Sequence, residues 1–356
     1  MTTIYLIRHA EAEGNLYRVA QGQHDSNLTD RGWRQVEALR RRFEGVHIDA
    51  VYASDLYRTR ATATAVSRPR GLPLRLREDL REICVGDWEQ RTWGDIARRT
   101  PKAMADFGSR MDRWSIPGAE RPAQVLSRVR AALEDIARQE PDRTVAVFSH
   151  GYAIRLVLAS LQGISLRDTG AKSPTGDNTA VSLLEWDGDG LRVVWQNDAS
   201  HLEEPEYLAG EGEHAERSYA LEPGLWFRPL TGEEAAARLS DAWAQAGGGD
   251  GAPPAASLTL EGLRGEEPAG LLHMSPETGR ISLVYVRPAC RRRGFGVQLI
   301  GQAVLRTRDR GGEALSVLLG PEGPGRAFFL DCGFRPEGGG EGRERLVKPI
   351  GFDPSV

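Results

Sequence analysis

The chain has 356 residues, with 46 Lys and Arg against 50 Asp and Glu, a net charge of −4 at pH 7. That length favours two domains over one, and the near-balanced charge gives no global pull toward nucleic acid or an anionic membrane. Three widely spaced cysteines, Cys84, Cys290 and Cys332, form no CxxC pair, which argues against a disulfide framework or a zinc site and for reduced thiols in a cytoplasmic protein.

No apolar run approaches the roughly 18 residues of a membrane span, and the chain enters a strand directly, so no signal peptide is expected. Thr3-Ile4-Tyr5-Leu6-Ile7 predicts a buried strand that ends on Arg8-His9. Thr29 reads as the N-cap of a helix presenting Trp33, Val36, Leu39 and Phe43 on one face. Asp49 to Ser54 is a short strand, with Ser54 placed to cap the next helix. Trp93 to Arg99 is a short helix, and Val125, Leu126, Val129, Leu133 and Ile136 mark a longer amphipathic one stopped near Pro141. Thr144 to Ser149 is a second buried run, ending on His150-Gly151. Val181–Trp186 and Leu191–Trp195 flank Asp187-Gly188-Asp189-Gly190, a hairpin signal. Strands and helices thus alternate to about residue 198, which predicts an α/β domain with a mostly parallel sheet.

From about Ala199 to Pro223 the chain turns acidic and polar, a connector that is partly ordered at most. A second block begins at Leu225-Trp226-Phe227. It holds a helix around Glu233 to Gln245, strands at Ser257–Leu260, Gly270–Met274, Ile281–Val286 and Ala314–Leu319, and a helix from Val297 to Arg306. Gly247 to Pro254 is too rich in glycine and proline for regular structure and is expected to be a loop.

The chemistry of the first half lies where its buried strands end. Crevices at the carboxyl ends of strands are where open α/β sheets bind ligands. Two such strands side by side would turn His9 and His150 toward one pocket, with Arg8 beside them. A neutral imidazole is a nucleophile near pH 7, and an arginine fork pairs bidentately with phosphate, so the pattern suits phosphoryl transfer. Taken alone, Arg8-His9 reads equally as a surface dipeptide.

Leu6-Ile7-Arg8-His9-Ala10-Glu11-Ala12-Glu13-Gly14-Asn15, with Gln21-Gly22, Asp25, Leu28-Thr29 and Gly32, resembles the start of the histidine phosphatase superfamily. Further matches are Ser54-Asp55-Leu56-Tyr57-Arg58-Thr59 with Thr62-Ala63, Leu80-Arg81-Glu82-Ile83 with Gly86-Asp87-Trp88-Glu89, and Ser149-His150-Gly151. The resemblance covers about residues 1 to 200 and implies a three-layer α/β/α, phosphoglycerate mutase-like domain. It implies that His9 becomes phosphorylated, that Arg8, Arg58 and His150 bind the phosphoryl oxygens, and that Glu82 is the general acid, with Glu78 and Glu89 as competitors for that role. Asn15, Gln21, Gly22 and Gly151 would add contacts at the phosphate or the pocket rim, and neither metal nor cofactor is required. Ala10 and Asn27 stand where the family commonly has glycine and proline. His24, His47, His201 and His214 are expected on the surface or at caps. Phosphoglycerate mutases of this family insert a long segment between the acid and the second histidine. Here His150 follows Glu82 by only 68 positions, so a phosphatase for small phosphomonoesters is favoured over a mutase.

In the second half, Val284-Tyr285-Val286 runs through Pro288 into Arg291-Arg292-Arg293-Gly294-Phe295-Gly296 and a helix. A basic, glycine-containing turn at a helix start is an anion site in outline, though it also serves simply to cap a helix. With Ala327-Phe328-Phe329-Leu330-Asp331-Cys332-Gly333-Phe334 downstream, it resembles the GNAT-type N-acetyltransferases over about residues 224 to 350, a smaller mixed α/β domain. The resemblance implies acetyl-CoA as cofactor, its acyl arm on the backbone of Val284, Tyr285 and Val286 and its pyrophosphate on Arg291, Arg292, Arg293, Gly294, Phe295 and Gly296. Phe329 stands where family members often carry a tyrosine acid, so binding is better supported than acetyl transfer. The expected layout is therefore a phosphatase domain at 1–200, an acidic linker at 201–223 and a GNAT-like domain at 224–352. The expected partners are a small phosphorylated metabolite and acetyl-CoA, with no nucleic acid or membrane.

Overall fold

The computed structural model describes residues 1–211, 224–247, 254–320, 325–340 and 342–356. Among them, the first half runs β1 (Thr2–Arg8), α1 (Glu13–Tyr17), α2 (Asp30–Arg42), β2 (Ala50–Ser54), α3 (Tyr57–Arg70), β3 (Leu74–Arg77), α4 (Trp93–Arg99), α5 (Pro101–Ser109), α6 (Pro122–Gln139), β4 (Thr144–Ser149), α7 (Gly151–Leu161), α8 (Thr169–Lys172), β5 (Val181–Trp186), β6 (Leu191–Asp198) and α9 (Pro205–Glu211). The second half runs β7 (Trp226–Leu230), α10 (Gly232–Gln245), β8 (Leu258–Arg264), β9 (Glu267–Ser275), β10 (Arg280–Val286), α11 (Phe295–Arg308), β11 (Ala314–Leu319), α12 (Arg326–Asp331), β12 (Arg335–Gly340) and β13 (Arg343–Pro349).

The first sheet has the order β3-β2-β4-β1-β5-β6. Its first four strands are parallel, while β5 and β6 form the antiparallel hairpin at one edge. β2 is buried at every position and β4 at all but its first, as expected of strands covered on both faces. Alternating side chains of β1 feed two cores. Ile4 and Leu6 pack with Val125, Val129 and Leu133 of α6 and Leu156 of α7. Ile7 packs with Leu39 of α2 and Ala61 and Val66 of α3. This is a three-layer α/β/α domain. β1 and β4 are neighbours in register from Thr3↔Thr144 to Arg8↔Ser149, so the residues that follow, His9 and His150, leave the sheet side by side.

Thr29 caps α2 as expected, its Oγ1 accepting from Gly32 N at 2.9 Å. Trp33, however, is 38% exposed, and the buried face runs through Gly32, Gln35, Val36 and Leu39. Gly32 sets that rotation: a Cβ there would stand 2.1 Å from the Glu11 carbonyl oxygen, so the backbone itself is the contact and the next side chain points outward. Ser54 does not cap α3. Leu56 occupies that position with no side-chain bond; the Ser54 hydroxyl lies 2.9 Å from His150 Nε2 and meets the helix entry only through a long 3.4 Å bond from Leu56 N.

The second sheet has the order β12-β13-β11-β10-β9-β8-β7, with α11 and α12 on one face and α10 on the other. β12 and β13 carry no alternating pattern; β12 is exposed throughout and ends in Gly338-Gly339-Gly340, so its pairing with β13 comes from the backbone. Part of the acidic connector is helical, as α9, with Tyr207 buried. Residues 212–223, His214 among them, lie outside the described residues, as do residues 248–253 of the Gly247–Pro254 loop, residues 321–324 and residue 341.

The halves are not merely tethered. Tyr17 and Val19, at and just beyond α1, lie in the core of the second half with Leu299, Ile300 and Val304. Gly301 of α11 makes room for Tyr17, since a Cβ there would come within 2.5 Å of the tyrosine's own Cβ. Beside it the buried carboxylate of Glu13 accepts from Arg308 Nη1 at 2.9 Å and Nη2 at 3.3 Å. The C-terminal segment returns to the first half, where Phe352 packs against Tyr57 with ring centroids 4.9 Å apart and the planes tilted by 56°.

Candidate active site

β1 and β4 deliver the two histidines. Their rings lie 5.3 Å apart at 58°, and both are buried. His9 Nδ1 sits 2.7 Å from the Ala10 carbonyl oxygen. A carbonyl only accepts, so Nδ1 carries the proton and Nε2 holds the lone pair. Burial, followed by the charges of Arg58 and Arg8, holds His9 well below the ordinary histidine value of 6.5, so the ring is neutral at pH 7. Burial also lowers His150, with Arg58 and His9 adding to it. Ser54 Oγ lies 2.9 Å from His150 Nε2, which pins the ring and leaves Nδ1 as its free edge.

The loop after β1 is fixed from several sides. Ala10 N donates to Thr62 Oγ1 at 2.9 Å, and that hydroxyl donates to the Arg58 carbonyl at 2.7 Å. Asn178 Nδ2 donates to the His9 carbonyl at 2.9 Å. Arg58, in the first turn of α3, donates through Nη1 to the His24 carbonyl at 3.0 Å and through Nη2 to the Gly22 carbonyl at 2.7 Å. Burial lowers it from 12.5 to about 10, still a cation at pH 7. Arg8 donates through Nη1 to the Gly176 carbonyl. Gly151 lies against it, for a Cβ there would be 3.0 Å from Arg8 Nε. Three buried nitrogens of this cluster have no hydrogen-bond partner among the described residues: Arg8 Nε, Arg58 Nε and His150 Nδ1. Buried polar groups are rarely left unpaired, and spare donors on the buried Arg58 and the half-buried Arg8, beside a neutral imidazole, are suited to an anion.

Glu82 completes the group. Its Oε1 accepts from Ile83 N at 3.1 Å and Ala153 N at 3.0 Å, and its Oε2 from Tyr152 N at 3.0 Å. The carboxyl group therefore sits at the N-terminal end of α7, whose cap is His150 itself. The structure thus brings Arg8, His9, Arg58, Glu82, His150 and Gly151 together, and Gly22 contributes through its carbonyl. Asn15 Oδ1 accepts from Ala12 N at 3.0 Å, closing the first turn of α1. The Gln21 side chain packs on Gly14. Ser54, Thr62 and Asn178 support the site through bonds that no local pattern reveals. His201 is a correction: it is buried, bonded to Thr179 Oγ1 at 2.9 Å and to Arg42, because the hairpin folds its loop back over α2. Among the described residues no group of three or more His, Cys, Asp or Glu is placed to hold a metal ion, and no helix is long and apolar enough to cross a membrane.

In the second half, β10 pairs with β9 as far as Val286↔Gly270, but with β11 only at Arg280 and Ile281. Beyond those two residues β10 and β11 part, opening one side of Ser282 to Val286. The strand then leads to the exposed turn Arg291-Arg292-Arg293 and to Gly294, the cap of α11 at φ 75°. Arg291 Nε donates to the Val286 carbonyl at 3.1 Å, so that oxygen is already engaged. Gly296 serves packing, since a Cβ would strike the Phe328 ring at 2.9 Å. Phe329 is buried between Phe328 and Phe334.

This fold and site define a histidine phosphatase-type domain joined to a GNAT-type domain. Residues 4–199 match the profile of the histidine phosphatase superfamily (branch 1), and residues 225–334 that of the acetyltransferase (GNAT) family. The chain belongs to the histidine phosphatase superfamily and carries a GNAT domain after it. It is 29% identical over 204 residues to phosphoserine phosphatase 1 of Hydrogenobacter thermophilus, covering 57% of this chain and 96% of that protein. It is 31% identical over 209 residues to a probable phosphoglycerate mutase of Erwinia tasmaniensis, again 57% and 96%. The solved structure of YhfR from Bacillus stearothermophilus superposes with a TM-score of 0.55 at 33% identity, covering 57% of this chain and all of that one.

Proposed function

We propose that the first half hydrolyses small phosphomonoesters through a phosphohistidine on His9. The observation that carries this reading is the tautomer of His9, with Nδ1 tied to Ala10 and Nε2 left as lone pair beside the unpartnered nitrogens of Arg8, Arg58 and His150. In this reading Nε2 attacks phosphorus, the phosphorus–ester oxygen bond breaks, and Glu82 passes a proton to the departing oxygen. Oε2, which accepts a single amide, is the oxygen with capacity to spare. The two guanidiniums and His150 hold the phosphoryl oxygens as charge moves onto them. Water, losing its proton to Glu82, then cleaves the nitrogen–phosphorus bond and frees inorganic phosphate and His9.

For the second half we infer a site for acetyl-CoA. The parted strands β10 and β11 leave room for an extended acyl arm, and the basic turn with the first amides of α11 suits a pyrophosphate. When bound, that group would supply a thioester; Phe329, without a proton to give, leaves transfer to an acceptor open.

Relatives that are named a phosphoserine phosphatase and a probable phosphoglycerate mutase give the first half two candidate outcomes, and the short span from Glu82 to His150 favours hydrolysis. Incubating the full chain with phosphoserine and with 3-phosphoglycerate, with and without the bisphosphorylated acid, separates them. Release of inorganic phosphate independent of the bisphosphate is expected. Interconversion of 2- and 3-phosphoglycerate that requires the bisphosphate would replace the hydrolase reading with a mutase.

A further inference from the structure

The segment that carries Glu82 has almost no regular structure of its own. It leaves a single turn at Glu78–Leu80 and next joins another segment at the isolated bridge between Val85 and Ala119. A carboxyl group that must meet a departing oxygen within a fraction of an ångström needs a rigid mount. Ser149 Oγ donates to the Leu80 carbonyl at 2.8 Å and Arg81 Nε to Asp55 Oδ1 at 2.6 Å. One side chain spans the segment's carbonyls on both sides of Leu80. Arg128, on α6, donates through Nη1 to the carbonyls of Asp79 at 3.1 Å and Arg81 at 2.6 Å, and through Nη2 to that of Glu82 at 2.8 Å. The other edge of its fork grips Glu120, Nε on Oε1 and Nη2 on Oε2, both at 2.8 Å. Glu120 Oε2 in turn accepts from Cys84 N at 2.9 Å and from Gln23 Nε2 at 3.3 Å, and Gln23 Nε2 also reaches the Glu82 carbonyl at 3.0 Å.

We propose that Arg128 is a positioning residue for the proton donor, with Glu120 and Gln23 as its supports. This rests on the reading of Glu82 as the acid. Arg128 bonds the backbone of residues 79, 81 and 82 and makes no hydrogen bond to His9, Arg8, Arg58 or the Glu82 carboxyl group. Its planar fork satisfies three carbonyls and a carboxylate at once, which a lysine's single ammonium cannot do in the same geometry. The guanidinium therefore does for this loop what a neighbouring strand does elsewhere: it fixes the direction in which the Glu82 side chain leaves the backbone.

The test separates positioning of the acid from a general structural role by the leaving group. A nitrophenolate departs with little help from a proton, whereas an alkoxide needs one. In the full chain, R128Q and R128K are expected to lower kcat for an alkyl phosphomonoester such as phosphoserine by about 10- to 100-fold, with KM changed by less than about 3-fold. For p-nitrophenyl phosphate kcat/KM should fall by less than about 5-fold. E82Q should show the same selectivity at larger size, and R128Q added to E82Q should cost little more, because the two act on one step. E120Q, which keeps the three carbonyl bonds, gives a milder variant and should show the same selectivity, reduced to about 3- to 10-fold. Equal losses on both substrates in R128Q and E120Q, alongside a selective E82Q, would overturn the role of Arg128 while leaving Glu82 as the acid. Glu82 also takes the water proton in the step common to both substrates, so the comparison is made on kcat/KM, which ends at phosphorylation of the enzyme. An E82Q that lowers kcat/KM equally for both substrates would overturn the acid assignment, and the proposal with it.

Discussion

The tautomer of His9 is set by its neighbour: a single carbonyl, that of Ala10, decides which nitrogen keeps the proton. The same economy runs through the cluster. Ser54 pins His150, Thr62 pins the loop after β1, and Arg8 and Arg58 are held by carbonyls that leave their Nε atoms unpaired. The cost is acid lability. Burial lowers His201 from 6.5 to about 4, with the charge of Arg42 adding to it, and burial likewise lowers His9 and His150. Between those two values the unfolded chain binds a proton that the folded chain refuses, so stability falls as pH drops from 6.5 toward 4 and is flat above about 7.5. At about pH 5, His201 alone accounts for on the order of 2 kcal/mol. Thermal midpoints measured from about pH 8 to pH 5 should therefore hold steady and then drop by several degrees, and a midpoint that rises on acidification would contradict the burial of these rings.

At the scale of elements, the parallel strands and their helices were legible because both are written in period and punctuation. The buried runs of β1 and β4 announce themselves, Thr29 marks the start of α2, and both histidines fall where their strands end. The resemblance supplied Arg58 and Glu82, which lie far from His9 in sequence and close to it in space. What stayed hidden is set by tertiary contact. Trp33 faces water because Gly32 meets a carbonyl. Ser54 makes its shorter contact with His150 and not with the start of α3 because β2 and β4 are neighbours. Arg128 reads as one more charge on an amphipathic helix until its five bonds are seen. β12 escaped notice because its glycines have no side chains to alternate.

Across the whole molecule, the two halves share structure rather than a tether. α1, the first helix after His9, packs on α11, the helix that begins at the basic turn, and between them the buried Glu13 carboxylate pairs with the partly buried Arg308. Removing Arg308 would leave the buried Glu13 carboxylate without its partner; a fully buried pair costs about 3–5 kcal/mol to break, and this partly exposed one costs less than that. R308A should accordingly destabilise the first half as well as the second. Both should melt earlier, and in the same transition, when followed by phosphate-protected unfolding. If R308A lowered the stability of the second half alone, the halves would be independent bodies. The proposed hydrolysis rests on one nucleophile, His9, and trapping it is the most direct test: rapid acid-free quenching of the full chain with a radiolabelled phosphomonoester. The account predicts a transient label on a histidine, stable in base and labile in acid, that maps to His9 and vanishes in H9A together with hydrolysis. Undiminished hydrolysis by H9A, or a label on another residue, would contradict it.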